Sequence, residues 1–154
     1  NISRFSKDRG INLIIKSFKN SRLFEKYKLK IIGGSQNDIE KLKNLVKDLE
    51  LDTSIEILGK LDRKKTIEKI QESDIGLLIN SSNSDSSIHT SPLKYFEYLR
   101  SGLNIVAVDL PAHRELPLSE NILFYKEDDE ESFISSLNKL DILNTSIFLA
   151  FLTF

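Results

Sequence analysis

Two patterns of apolar residues alternate along the chain. Short runs rich in Ile, Val and Leu stand at 1–5 (NISRF), 29–34 (LKIIGG), 54–59 (SIEILG), 74–80 (DIGLLIN), 104–109 (NIVAVD) and 121–125 (NILFY). Between them, apolar positions recur at helical spacing: Ile11, Ile14, Ile15 and Phe18, then Ile39, Leu42, Leu45, Val46 and Leu49. The same holds for Ile67 and Ile70 in a weaker segment over 63–72, for 92–101, and for Phe133, Ile134, Leu137 and Leu140. Steps of three and four residues place one stripe on a helix, whereas an unbroken apolar run suits a strand covered on both faces. Short strands separated by helices predict crossover units, and hence a parallel sheet. The fold class expected is α/β, a Rossmann-like open parallel sheet with helices on both faces. In such sheets ligands bind beyond the carboxyl ends of the strands, which directs attention to the loops after residues 5, 33, 59, 80 and 109.

Composition narrows the function more than the fold. With 154 residues and 40% hydrophobic content the chain can build one core. The expected division is a domain over 1–143 followed by an apolar tail over 144–154. The tail's SIFLAFLTF carries no charge, yet it is too short to span a bilayer, which takes roughly 20 apolar residues. It is expected to be a last helix or strand without its docking partner, or else a membrane-surface contact. The 22 basic and 23 acidic residues nearly cancel, which leaves no bulk charge for nucleic acid. The absence of cysteine removes disulfide frameworks, thiolate zinc sites and cysteine nucleophiles, and is compatible with a cytoplasmic protein. The absence of methionine leads to the expectation that the natural start lies upstream.

The stretch SPLKYFEYLRSG, residues 91–102, gathers the strongest chemical signal. Ser91 suits an N-cap, Pro92 the first helical position and Gly102 the helix stop. Free N–H groups at such a start, with the positive end of the helix dipole, form an anion site, and Lys94 adds a full charge there. A cation at that end is otherwise unfavourable, so an anionic ligand would reverse the sign. At about 100° per residue from Leu93, the residues Phe96, Leu99 and Tyr95 fill an apolar arc, with Glu97 at its edge between Leu93 and Lys94. The spacing of Lys94 and Glu97 also admits an ordinary i, i+3 surface pair.

Other candidates are less specific. Arg4, Lys7 and Arg9 precede Gly10 at the start of a helix, where two guanidinium groups can clamp phosphate oxygens, or simply lie in a solvated loop. Gly33 and Gly34, after a strand, allow a backbone to approach a ligand or make a tight turn. His89 lies in the polar loop SSNSDSSIHT and could donate to a sugar hydroxyl or a phosphate; an exposed loop histidine is the alternative. His113 opens a helical turn with Arg114 and Glu115. Neither histidine is spaced for a metal, and no nucleophile elbow or P-loop occurs.

In the order of its pieces the chain resembles the C-terminal, donor-binding domain of GT-B glycosyltransferases of the group 1 family, also called family 4. SRFSKDRGINLIIKSF resembles the family's G-R-x-x-x-x-K-G opening, LKIIGG its second strand and IEILGKL its F-L-G segment. SPLKYFEYLRSGLNIVAVDLPAHRE resembles its S-P-L-K-x-F-E-Y-M subtype. The resemblance implies that Arg4 and Arg9 neutralise the diphosphate of a nucleotide-sugar. The helix start at Ser91, Pro92, Leu93 and Lys94 would bind the same diphosphate through its N–H groups. Glu97, at the second Glu of the family's E-x7-E pattern, would accept from the ribose hydroxyls, and backbone from Gly59 to Leu61 would hold the base. His89 stands at the first Glu of that pattern, the position that contacts the donor sugar, and joins Arg4 and Arg9 as a candidate catalytic group. Ser3 replaces the family's Gly before Arg4, and Asn104 stands where Pro is frequent.

The function implied is the donor half of a retaining glycosyltransferase in polysaccharide biosynthesis. It would move a sugar from a nucleoside diphosphate sugar to a saccharide or lipid-linked acceptor, with neither a cofactor nor a required metal. The acceptor would be held by an N-terminal domain outside this chain, so the chain alone should bind without turnover. The full-length protein is expected in the cytoplasm, with peripheral contact to the inner face of the membrane open to it. The rivals are a nucleotide-sugar epimerase of GT-B architecture, a degenerate domain that only binds, and a phosphoacceptor receiver, which lacks the needed aspartate in SIEILGK.

Overall fold

The computed structural model describes residues 9–79, 93–140 and 147–152. Six helices and six strands alternate: α1 (Arg9–Asn20), β1 (Tyr27–Ile32), α2 (Gln36–Asp48), β2 (Ile55–Gly59), α3 (Arg63–Gln71), β3 (Ile75–Leu78), α4 (Leu93–Arg100), β4 (Asn104–Val108), α5 (Pro111–Arg114), β5 (Ile122–Tyr125), α6 (Glu130–Asn138) and β6 (Ile147–Leu152). The strands form one parallel sheet in the order β2-β1-β6-β3-β4-β5. Helices cover both faces, as the periodicity implies. The strand expected at 1–5 lies outside the described residues.

Alternation along the strands sorts the core into two layers. Ile31, Leu77, Val106 and Val108 belong to one cluster with Ile11, Ile14, Ile15 and Phe18 of α1, Leu42 and Val46 of α2, and Phe133 and Leu137 of α6. Their neighbours Ile32, Leu78, Ile105 and Ala107 belong to the other, with Ile70 of α3 and Tyr95 and Tyr98 of α4. Successive strand residues point to opposite faces, so one apolar run supplies both layers. Helix starts are set locally. Ser35, Asp62 and Asp129 cap α2, α3 and α6 by accepting from the N–H of Asp38, Lys65 and Ser132.

The C-terminal segment departs from expectation. Residues 147–152, expected to be a tail outside the domain, form β6 at the centre of the sheet, hydrogen-bonded to β1 over Tyr27–Ile32 and to β3 at Ile75 and Gly76. A central parallel strand is covered on both faces and must be apolar throughout. That requirement accounts for the uncharged run: it found its partners inside the sheet. β6 also lies where strand order reverses, between β1, which leads outward to β2, and β3, which leads to β4 and β5. Crevices at such switch points, beyond the carboxyl ends, are where ligands bind in open sheets.

Candidate functional site

At that end of the sheet two of the expected glycines meet. Gly33 follows β1, Gly59 closes β2, and the N–H of Gly33 donates to the carbonyl of Gly59 at 2.6 Å. Both have positive φ, 106° and 65°, a region in which a side chain is strained. The turn after β2 therefore swings away from the strand direction and opens a cleft of about 620 Å3, lined by Gly34, Ser35, Gln36, Lys43, Gly59 and Lys60 among others. Leu61 follows, half-buried against the α3–α4 layer. At the neighbouring switch point Gly10, near the start of α1, packs its Cα against Ile79; a Cβ there would lie 3.1 Å from the Ile79 carbonyl. That close approach brings the start of α1 to the carboxyl end of β3. Arg9 begins α1. Arg4, His89, Ser91 and Pro92 lie outside the described residues.

Helix α4 carries Leu93, Lys94 and Glu97 together, but of the arc expected to be apolar it buries Tyr95 and half-buries Leu99 while leaving Leu93 and Phe96 exposed. Tyr95 and Tyr98 are buried, whereas Leu93 and Phe96 are 44% and 45% exposed. Tyrosine rings offer the larger apolar surface, and their hydroxyls find backbone acceptors when buried. Tyr95 donates to the carbonyl of Pro117, and Tyr98 to those of Leu77 and Ala150. The helix is therefore turned so that Glu97 lies between the exposed and buried faces. The end of α4 follows the sequence: Gly102 N–H donates to Leu99 and Leu103 N–H to Tyr98, which satisfies the last carbonyls.

Glu97 is held across helices. Its Oε1 lies 3.2 Å from Arg63 Nη1, with the carboxylate side chain 12% exposed and the guanidinium largely in solvent. Its Oε2 is buried without a hydrogen-bond partner among the described residues. Arg63 was absent from the sequence candidates. No linear spacing connects α3 to α4; the available signal was a first turn of three cations, Arg63, Lys64 and Lys65, beside a single acid, the capping Asp62.

His113 lies beside this region, after β4. It is fully buried, with Nδ1 2.7 Å from the carbonyl of Val108. The neutral ring donates from Nδ1, which assigns the tautomer and leaves Nε2 as a buried acceptor without a partner among the described residues. Burial pushes its pKa down, and the positive charge of Lys94 acts in the same direction, against Asp109. The turn is clamped by Arg114, whose Nε and Nη2 donate to the two carboxylate oxygens of Asp109 at 2.7 and 2.8 Å while the guanidinium stacks 4.0 Å from the ring of Phe124. The guanidinium hydrogen bonds hold the Asp109 carboxyl below its ordinary range.

The arrangement is thus a backbone turn at Gly33 and Gly59, a helix start with Lys94, and a carboxylate with one oxygen unpartnered among the described residues, all at the carboxyl side of a parallel sheet. A family model for glycosyl transferases group 1 matches residues 1–143. The chain belongs to that family. Neither a curated protein nor a solved structure matches the chain. A group 1 glycosyltransferase acts with a nucleotide-sugar donor and an acceptor; in this α/β domain Gly33 and Gly59 stand at the ends of β1 and β2, Leu61 in the loop before α3, Leu93 and Lys94 at the start of α4 and Glu97 one turn further along it. Among the described residues no helix is long and apolar enough to cross a membrane.

Proposed function

We propose that this chain is the donor-binding domain of a retaining glycosyltransferase of the S-P-L-K-x-F-E-Y-M type, taking a nucleoside diphosphate sugar and passing the sugar to a saccharide or lipid-linked acceptor. The observation that carries the reading is Glu97, whose buried Oε2 has no donor among the described residues while the helix bearing it starts next to a cation, Lys94. An acceptor for sugar hydroxyls thus stands one helical turn from an anion-binding start, the separation of ribose and diphosphate in a nucleotide.

In this reading the bond from the sugar's anomeric carbon to the diphosphate oxygen breaks, and negative charge grows on the leaving diphosphate. Lys94, the N–H groups at the start of α4, and Arg4 and Arg9 stabilise that charge more than they stabilise the bound donor, which lowers the barrier. Backbone at Gly59 to Leu61 holds the base, and His89 contacts the transferred sugar. The charge is met by side chains and backbone dipoles, so the step calls on no metal or cofactor. The acceptor is supplied on a second domain of the full-length protein, at the inner face of the membrane when it is lipid-linked, and this chain alone binds without turnover.

Calorimetric titration with UDP, GDP and ADP tests the reading. One of the three is expected to bind, and Lys94→Ala and Glu97→Ala each to weaken it by about tenfold or more, the size of one charge-assisted hydrogen bond. Absence of binding to all three by the folded protein would sink it.

A further inference from the structure

Arg63 has no place in the reading above, yet it makes the contact that orients Glu97. It is the first residue of α3, whose start is fixed by Asp62 accepting from the N–H of Lys65 at 2.8 Å. The far end of α3 is anchored as well: buried Lys30 of β1 and Lys69 both reach Glu72, at 3.0 and 2.9 Å. Arg63 therefore projects from a helix held at both ends. Three cations share its first turn, and the capping Asp62 lies 3.9 Å from one of them, Lys65. Glu97, from the neighbouring helix, offsets one of them.

The consequence falls on the carboxylate. A guanidinium is a rigid planar donor that fixes the orientation of the group it binds. With Oε1 against Arg63, the carboxylate cannot turn freely, and it keeps Oε2 directed into a buried position where no described residue donates to it. A buried acceptor left without a donor is a standing cost in the unliganded protein, relieved when a ligand brings one. Arg63 also stands two residues beyond Leu61, at the end of the Gly59–Leu61 turn assigned to the base. The same ion pair thus ties the base-binding turn to the hydroxyl acceptor and sets their separation.

We infer that Arg63 is a positioning residue that makes the site selective for ribonucleotides: through its ion pair it holds Glu97 so that Oε2 accepts from a ribose hydroxyl of a nucleoside diphosphate. The inference rests on the donor-binding reading and adds to it the residue that enforces the sugar preference.

The test compares wild type, Arg63→Met, Arg63→Lys, Glu97→Gln and the Arg63→Met/Glu97→Gln double variant. Affinities are measured for UDP, GDP and ADP and for their 2′-deoxy and 3′-deoxy forms. Arg63 is exposed on the protein surface, and circular dichroism with urea melting verifies that each variant is folded. For the base that binds, Arg63→Met is expected to shrink the ribo-to-deoxy preference by about tenfold while leaving the affinity for the deoxy form nearly unchanged. Arg63→Lys keeps a cation in reach and retains most of the preference. The double variant discriminates no worse than Glu97→Gln, because both changes remove one contact. An undiminished preference in Arg63→Met, an equal loss on both sugars, or additive losses in the double variant would each overturn the inference while leaving the donor-binding reading intact. Failure of the folded wild type to bind any nucleoside diphosphate would overturn both.

Discussion

The hydroxyl of Tyr98 donates to the carbonyl of Ala150 at 3.3 Å, joining the helix that carries Lys94 and Glu97 to the strand nearest the C-terminus. Ala150 is fully buried, in register with Lys30 on one side and Gly76 on the other. Helix α4 thus rests on a strand that a cut at residue 143 would remove. Deleting 144–154 would leave β1 and β3 with unpaired backbone groups at the centre of the sheet, a loss well beyond one side chain. The expected outcome is loss of cooperative urea unfolding together with loss of nucleotide binding. A sharp two-state transition in the truncated chain, with a midpoint near that of the full chain, would show that β6 is dispensable.

Tyr98 also decides what stands at position 76. A Cβ on Gly76 would lie 2.4 Å from the Tyr98 ring, far inside contact distance, and both groups are buried in the sheet–α4 layer. Gly76→Ala is expected to destabilise the protein by about 1–3 kcal/mol through overpacking. In a Tyr98→Leu background the same change should cost less, with a coupling of about 1 kcal/mol or more between the two positions. Equal costs in both backgrounds, from urea melts, would argue against the ring as the obstacle.

His113 makes acid stability testable. Its folded pKa is pushed by burial below the ordinary value near 6.5, so the unfolded chain takes up this proton first. Stability attributable to His113 is therefore full above about pH 7, falls as the pH drops through 6.5 towards the folded value, and levels off below it. Asp109, also held low, contributes its own loss only near and below its ordinary value of 3.8. His113→Phe should flatten the stability profile as the pH falls from 7 through 6.5 and leave the carboxylate loss at lower pH. An unaltered profile over that fall would assign the slope to other groups.

Much of the fold was legible in the linear pattern. The stripe of Ile11, Ile14, Ile15 and Phe18 is buried throughout, and the runs at 29–34, 54–59, 74–80, 104–109 and 121–125 coincide with β1 to β5 within two residues at either end. Gly33 and Gly59 stood at strand ends because the chain needs a turn there. Burial within α4 was legible only in part: of the arc Leu93, Phe96, Leu99 and Tyr95, Tyr95 is buried, whereas Leu93 and Phe96 are exposed and Tyr98 takes the buried place instead.

What the sequence determined by itself is the set of local commitments. They include which segments are helix or strand, where Ser35, Asp62, Asp129 and Gly102 begin or end helices, and the α/β class that follows from their alternation. These depend on residues a few positions apart, whose interactions are written in order along the chain. Only the tertiary structure decided that residues 147–152 occupy the centre of the sheet, that Tyr98 rather than Phe96 faces it, and that Arg63 reaches Glu97. Each of those is a pairing between segments distant in sequence, chosen by shared burial, available backbone partners and the geometry of two helices on one face, and no spacing along the chain encodes it.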